Sequence, residues 1–236
     1  MPLVTLFEAI QRSAKVEHVT IDERRYTTAA LVPVKKPEPA PIAISTLTGL
    51  VEFHENCESD TGEFQPIVVV DGPQSVRIVS PLDEEFQQRM CFLVAKNELR
   101  PFPFGQYLEV DTFIVSMLSM FVQDEMTKTI LQILGTLQDG TVLTYDDDGT
   151  SQKVTAKTGI ARVGDTKVPN PVELAPFRSF PEIEQPASRF VLRMRSGSPM
   201  PTCALFEADG GAWRNEAIAR IKTWISGKLP DAVILA

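Results

Sequence analysis

The chain has 236 residues, 43% hydrophobic and 23% charged, with 23 Lys+Arg against 31 Asp+Glu and a formal net charge of -8. That composition excludes wholesale disorder and leaves enough apolar content for a sizeable core, in one large domain or two small ones. A globally acidic chain is disfavoured as a nucleic-acid binder, which needs a basic face to neutralise phosphates.

The charge is uneven. From Glu52 to Asp139 there are 15 acidic and 5 basic residues, a net of -10, whereas from Arg178 onward 8 basic and 6 acidic residues give +2. This reads as a solvated acidic surface or, more sharply, as head-to-tail contact between copies, acidic middle against basic tail. Cys57, Cys91 and Cys203 show no CxxC spacing, so neither a disulfide framework nor a zinc site is suggested. The N-terminal segment lacks the apolar core of a signal peptide, and no apolar run approaches the length of a membrane span. A cytoplasmic protein without membrane contact is expected.

In chain order, residues 3–15 read as an amphipathic helix, with Leu3, Leu6, Phe7, Ile10 and Ala14 at helical spacing. Val16 to Val34 reads as one or two strands. KKPEPAP, residues 35–41, is an extended Pro-rich connector, making residues 1–40 an appendage to a main domain over 41–236. Ser45 is placed to cap a short helix bearing Leu47, Leu50, Val51 and His54. Two β-branched runs around Asp71-Gly72-Pro73 signal a hairpin, and Met90–Ala95 a further strand. PFPFG, residues 101–105, is a loop expected to lie against the core.

Asp111 is expected to cap a helix whose stripe is Phe113, Ile114, Met117, Leu118 and Phe121, and Asp124 to open a second helix carrying Met126, Ile130, Ile133, Leu134 and Leu137. Strands VLTY, KVTAKTG and IARV follow, with Asp148-Gly149 at a turn. Residues 169–186 hold five prolines and suggest a chain draped over a surface or an edge. Residues 190–196 and 202–208 read as paired strands. A last helix over about 212–226 buries Trp213, Ala217, Ile218, Ile221, Trp224 and Ile225 and stops at Gly227, before a short closing strand. The order predicts an α+β fold: a mixed or largely antiparallel sheet packed by a helical hairpin and a C-terminal helix.

The chemistry is limited by histidine, since only His18 and His54 exist. HENCE, residues 54–58, places Glu58 where a zinc-protease helix needs its second His. Asp146 and Asp148 could share a face and offer hard oxygen ligands to Mg²⁺ or Ca²⁺, but the calcium-loop spacing is absent and a solvated turn between two strands is the favoured reading. Asp209-Gly210-Gly211 lies between a strand and a helix, where a backbone can approach an anion. No phosphate-loop or dinucleotide consensus surrounds it, so a tight turn with Asp209 helping to cap is the simpler reading. Arginines cluster at Arg178, Arg189, Arg193 and Arg195; Arg193 and Arg195 should leave one face of a strand, there to pair with Glu182, Glu184 or Glu207 or to hold a phosphate-bearing ligand.

The strings DDDGTSQKVTAKTGI (146–160), PFRSFPEIEQPASRFVLRMR (176–195) and ALFEADGGAWRNEAIARIKTWI (204–225) resemble a conserved family of functionally uncharacterised proteins of tailed bacteriophages and prophages. STLTGLVEF (45–53) and FPFGQYLEVDTFIVSMLSMF (102–121) are similar to the same family. The resemblance implies a phage or prophage protein in the bacterial cytoplasm, and no activity, cofactor or catalytic residue. The leading expectation is a non-enzymatic protein that acts through protein contacts and forms homo-oligomers, with a host or phage protein as a further partner. The alternatives are a metal-dependent hydrolase or nuclease at Asp146 and Asp148, or a nucleotide or phosphate-ligand binder at Arg193, Arg195, Asp209, Gly210 and Gly211.

Overall fold

The computed structural model describes residues 18–21, 24–27, 39–57, 65–83, 88–137, 142–147, 152–158, 161–167, 170–195 and 200–236. The chain divides into two compact units, Met1–Pro39 and Ala40–Ala236. In the first, β1 (His18–Ile21) and β2 (Arg24–Thr27) form an antiparallel hairpin with His18 opposite Thr27. The expected helix over residues 3–15 lies outside the described residues.

The second unit is α+β. A five-stranded mixed sheet comprises β3 (Ile42–Ile44), β4 (Ile67–Gly72), β5 (Ser75–Val79), β6 (Cys91–Lys96) and β14 (Val233–Leu235), ordered β14-β4-β5-β6-β3. The edge strands β14 and β3 run parallel to their neighbours, and the inner strands are antiparallel. The β4–β5 turn falls at Pro73-Gln74, with Gly72 opposite Ser75. A four-stranded antiparallel sheet has the order β11-β12-β13-β7, from β7 (Leu108–Glu109), β11 (Val172–Leu174), β12 (Ser188–Arg195) and β13 (Thr202–Glu207). The strands β8 (Val142–Asp147), β9 (Gln152–Thr158) and β10 (Ala161–Lys167) form an antiparallel meander.

Each larger sheet buries one face under helices, and period-2 alternation selects the face. On the five-stranded sheet, Val68, Val70, Val76, Ile78, Leu93 and Ala95 point one way. They meet α1 (Leu47–Asn56), through Leu47, Leu50 and Phe53, and the C-terminal helix α4 (Trp213–Lys228), through Ile221 and Ile225. On the four-stranded sheet, Phe190, Leu192, Met194, Cys203 and Leu205 face α2 (Val110–Met120) and α3 (Glu125–Leu137). Phe102 sits edge-on between Phe113 and Phe121, at centroid distances of 5.7 and 5.1 Å.

Helix ends depart from the sequence reading in three places. Thr46 caps α1 rather than Ser45, its hydroxyl accepting from the Gly49 N–H at 3.1 Å. Helix α2 starts at Val110 with no side-chain cap, and Asp111 lies in its first turn, where a negative charge favours the helix dipole. Gly227 does not stop α4, which runs on to Lys228. Asp124 does cap α3, accepting from Thr127 N–H at 2.7 Å.

The Pro-rich segment is the larger correction. Beyond the edge strand β11 it turns inward instead of draping over the surface. Arg178, Ser179, Phe180, Ile183 and Gln185 are all buried. The Gln185 side chain makes this possible: its Oε1 accepts from the Arg178 and Ser179 N–H groups, both at 3.0 Å, and its Nε2 donates to Phe180 O at 2.9 Å. Leaving one buried backbone polar group unsatisfied costs about 1–3 kcal/mol. Gln185→Leu strips partners from three such groups and is expected to destabilise the fold by about 3 kcal/mol or more, read as a lowered midpoint in urea titration.

Candidate functional site

The inward strap brings Arg178 to the end of the four-stranded sheet. Pro176 bridges to Phe121, and Phe177 N–H donates to Met120 O at 2.8 Å, so the strap is fixed against the exit of α2. Phe177 then turns out and Arg178 turns in. The Arg178 guanidinium lies 4.0 Å over the Trp213 ring, with Phe190 and Phe104 at 5.6 and 5.9 Å. Its Nη1 donates to Glu207 Oε1 at 2.8 Å, and its Nη2 donates to Ser188 Oγ. Burial pushes Arg178 down to about 10, opposed by Glu207 and Asp209, so it stays charged near neutral pH. The planar fork suits this place, because it stacks on a ring while pairing sideways.

The Asp209-Gly210-Gly211 turn abuts this cluster. Gly210 and Gly211 have φ of 64° and 83°, and a Cβ on Gly211 would lie 2.5 Å from Arg214 Nη1. The positive φ favours glycine at both positions, whereas the flexible Arg214 tip could move aside. Asp209 accepts from the N–H groups of Gly211 at 3.0 Å and Trp213 at 3.4 Å, satisfying the first turn of α4. Burial alone would raise the Asp209 carboxyl. Hydrogen bonds from Gly211, Ser188 and Trp213, with the Arg178 charge, hold it below its ordinary value.

The residues expected to bind a phosphate do not converge. Arg193 and Arg195 leave the outer face of β12, opposite Ala204 and Thr202. The turn instead follows the other end of β13, with Ala208 N–H donating to Arg189 O. Arg195 lies six residues along β12 from Arg189, about 20 Å at about 3.3 Å per residue. Arg193 and Arg195 do share a face, with Arg195 exposed and 3.8 Å over the Tyr107 ring. It is Arg178 that takes Glu207, while Glu184 pairs with Arg220 at 3.2 Å and Glu182 accepts from Leu47 N–H at 2.7 Å.

Of the carboxylate pair, Asp146 lies in β8 with its backbone opposite Lys153, and Asp148 lies outside the described residues. Among the described residues no group of three or more His, Cys, Asp and Glu is placed to hold a metal ion. Cys203 is buried, which pushes its thiol up to about 12 and removes it as a nucleophile at neutral pH.

Sequence reading did not anticipate the outer side of α2. Leu118, expected in the buried stripe, is 53% exposed and Val115 63% exposed, with Phe177 of the strap 41% exposed nearby. Two adjoining grooves of about 390 and 530 Å³ run along this side and share Arg100, Ser119 and Met120. The second groove reaches Asp111 at the start of the helix. Among the described residues no helix is long and apolar enough to cross a membrane.

Comparison with protein-family models, curated proteins and solved structures returns no match.

The lowered Asp209 carboxyl sets a pH signature. Its stabilisation is present above the unfolded-state value of about 3.9 and is lost as pH falls through the folded-state value. Asp209→Asn, which keeps one acceptor oxygen but loses the charge, is therefore expected to cost about 1 kcal/mol at pH 7. Denaturant titrations at stepwise lower pH should show the gap to wild type closing, and a gap constant with pH would contradict the charge-based role.

Proposed function

We propose that this is a non-enzymatic phage or prophage protein of the bacterial cytoplasm that acts through protein contacts and assembles with copies of itself. The observation that supports the contact is the exposed apolar side of α2, where Val115 and Phe177 each line one of two adjoining grooves and Leu118 is exposed on the same helix. Contiguous apolar surface of this kind marks interaction sites, whereas scattered single residues do not. The phage origin rests on the sequence resemblance, not on the fold.

A second copy suits this surface because two exposed apolar helix sides can cover each other. Two copies packed with antiparallel α2 helices would set Val115 and Leu118 at the centre. That is the symmetry of an isologous two-fold interface. The antiparallel helix dipoles favour the same arrangement.

Sedimentation of the full chain should give a mass above one chain at micromolar concentration. Leu118→Glu should return it to a monomer with little change in melting temperature, since that side chain is 53% exposed. A wild-type monomer at about 100 µM, where even contacts of about 5–6 kcal/mol would show, overturns the reading.

The hydrolase alternative has its own check. Mg²⁺ or Mn²⁺ bound at Asp146 and Asp148 would raise the melting temperature by linkage. We expect no rise; one that disappears in Asp148→Ala would instead place a metal site in this segment.

A further inference from the structure

The first of the two grooves, of about 390 Å³, is built from three parts of the second unit. Its walls come from the segment leaving β6, the C-terminal end of α2, and the strap. Leu99, Met120, Phe177 and Pro181 give it an apolar lining. Its volume falls within the range of small-ligand sites, about 300–1,000 Å³. The walls are already joined to one another and to their surroundings. Asn97 Nδ2 donates to Ser179 O at 3.0 Å, and Phe177 N–H donates to Met120 O at 2.8 Å. Ser179 Oγ donates to Pro73 O at 2.6 Å, and Ser119 Oγ donates to Val115 O at 2.9 Å. Arg100 differs from these. It lines the groove and is exposed, and it has no hydrogen bond, ion pair or ring contact among the described residues. Its five donors stand uncommitted beside an apolar surface.

We infer that this groove binds a monocarboxylate with an extended apolar body, the carboxylate held by Arg100 and the body laid against Met120 and Phe177. Charge and shape select that occupant together. One guanidinium fork matches one carboxylate, which it grips through two parallel hydrogen bonds. A more highly charged anion is disfavoured, because Arg100 is one of 5 basic residues against 15 acidic ones between Glu52 and Asp139. A neutral apolar molecule would crowd the guanidinium and return no hydrogen bond to it. A polyhydroxylated molecule is poorly served, since the hydroxyls of Ser119 and Ser179 already donate to backbone carbonyls. The Met120 side chain can adapt to the outline of an alkyl chain. The lining includes neither Val115 nor Leu118, so the inference does not rest on self-association through α2.

Isothermal titration of the full chain with decanoate tests it, with acetate and decanol standing for the head and the tail alone. Decanoate should bind saturably and raise the melting temperature by linkage. Acetate and decanol should each bind about tenfold more weakly or not at all, because each lacks one of the two contacts. Arg100→Gln should weaken decanoate binding about tenfold. Arg100→Lys should weaken it less, because the charge stays while the fork is lost. Ser119→Trp fills the groove and should abolish binding. Both positions are exposed, and unchanged melting temperatures without ligand would show the variants folded. Absence of saturable binding at about 1 mM decanoate overturns the proposal. Equal affinity for decanol, or full affinity in Arg100→Gln, overturns it as well. A lowered melting temperature would show detergent-like action on the unfolded chain and would also overturn it. Loss of binding in Leu118→Glu, which leaves the lining intact, would assign the ligand to the contact between copies and overturn this site.

Discussion

The buried carboxamide of Gln185 satisfies backbone groups of the facing limb of a strap whose burial would otherwise leave them unpaired. Two N–H groups and a carbonyl of residues 178–180 are bonded by this one side chain. With those groups paired, Phe180 and Ile183 can join the core of the five-stranded sheet while β11 just upstream belongs to the four-stranded one. The strap also bonds outward: Ser179 Oγ donates to Pro73 O at 2.6 Å, and Asn97 Nδ2 donates to Ser179 O at 3.0 Å. Glu182 caps the N-terminus of α1, and Arg220 of α4 donates to Glu184 O at 3.0 Å. The relation between the two sheets in the second unit is thus carried largely by polar groups of one irregular segment. Their geometry is more directional than hydrophobic burial.

Elements that form from local pattern were legible in the sequence. The Asp124-capped α3, the β4–β5 hairpin at a two-residue turn, and the β12–β13 pair follow from capping, turn chemistry and period-2 alternation. The α+β class follows from their order. The strap was not legible, because five prolines in residues 169–186 argue correctly against a central strand yet say nothing about burial. What buries the strap is Gln185 folding back on residues five to seven positions earlier, and no periodicity encodes that. Leu118 failed for a different reason. A helix stripe drawn from Phe113, Ile114, Met117 and Leu118 is wider than the face that the sheet covers, so its rim residue faces solvent.

The candidate sites divide in the same way. That Asp209 holds its turn was legible from residue type and position, and Gly210 and Gly211 serve positive φ. That Arg193 and Arg195 share a face followed from alternation. The combination of these groups into one site failed because it needed register. Antiparallel pairing of Arg195 with Thr202 sends the turn after Glu207 to the opposite end of the ladder. Arg178, named in the sequence only as one of a cluster, is instead the cation enclosed by Trp213, Phe190 and Glu207. Its Nε and the Trp213 Nε1 are buried without a hydrogen-bond partner among the described residues. The cluster accepts that cost for a stacked and paired guanidinium at the joint between β12, β13 and α4.

The exposed side of α2 stands in a fixed relation to the sheet beneath it. Helix α2 covers the inner face of the four-stranded sheet through Val110, Phe113 and Met117, so its apolar outer side points away from that sheet. A contact through α2 therefore needs no rearrangement of the sheet. In a two-fold dimer made this way the layers would run sheet, helix, helix, sheet, and the two sheets would be separated by a double layer of helices. The contact would add a second apolar side to α2 without disturbing the first, which is why its loss should change the assembly and leave the fold of each copy intact.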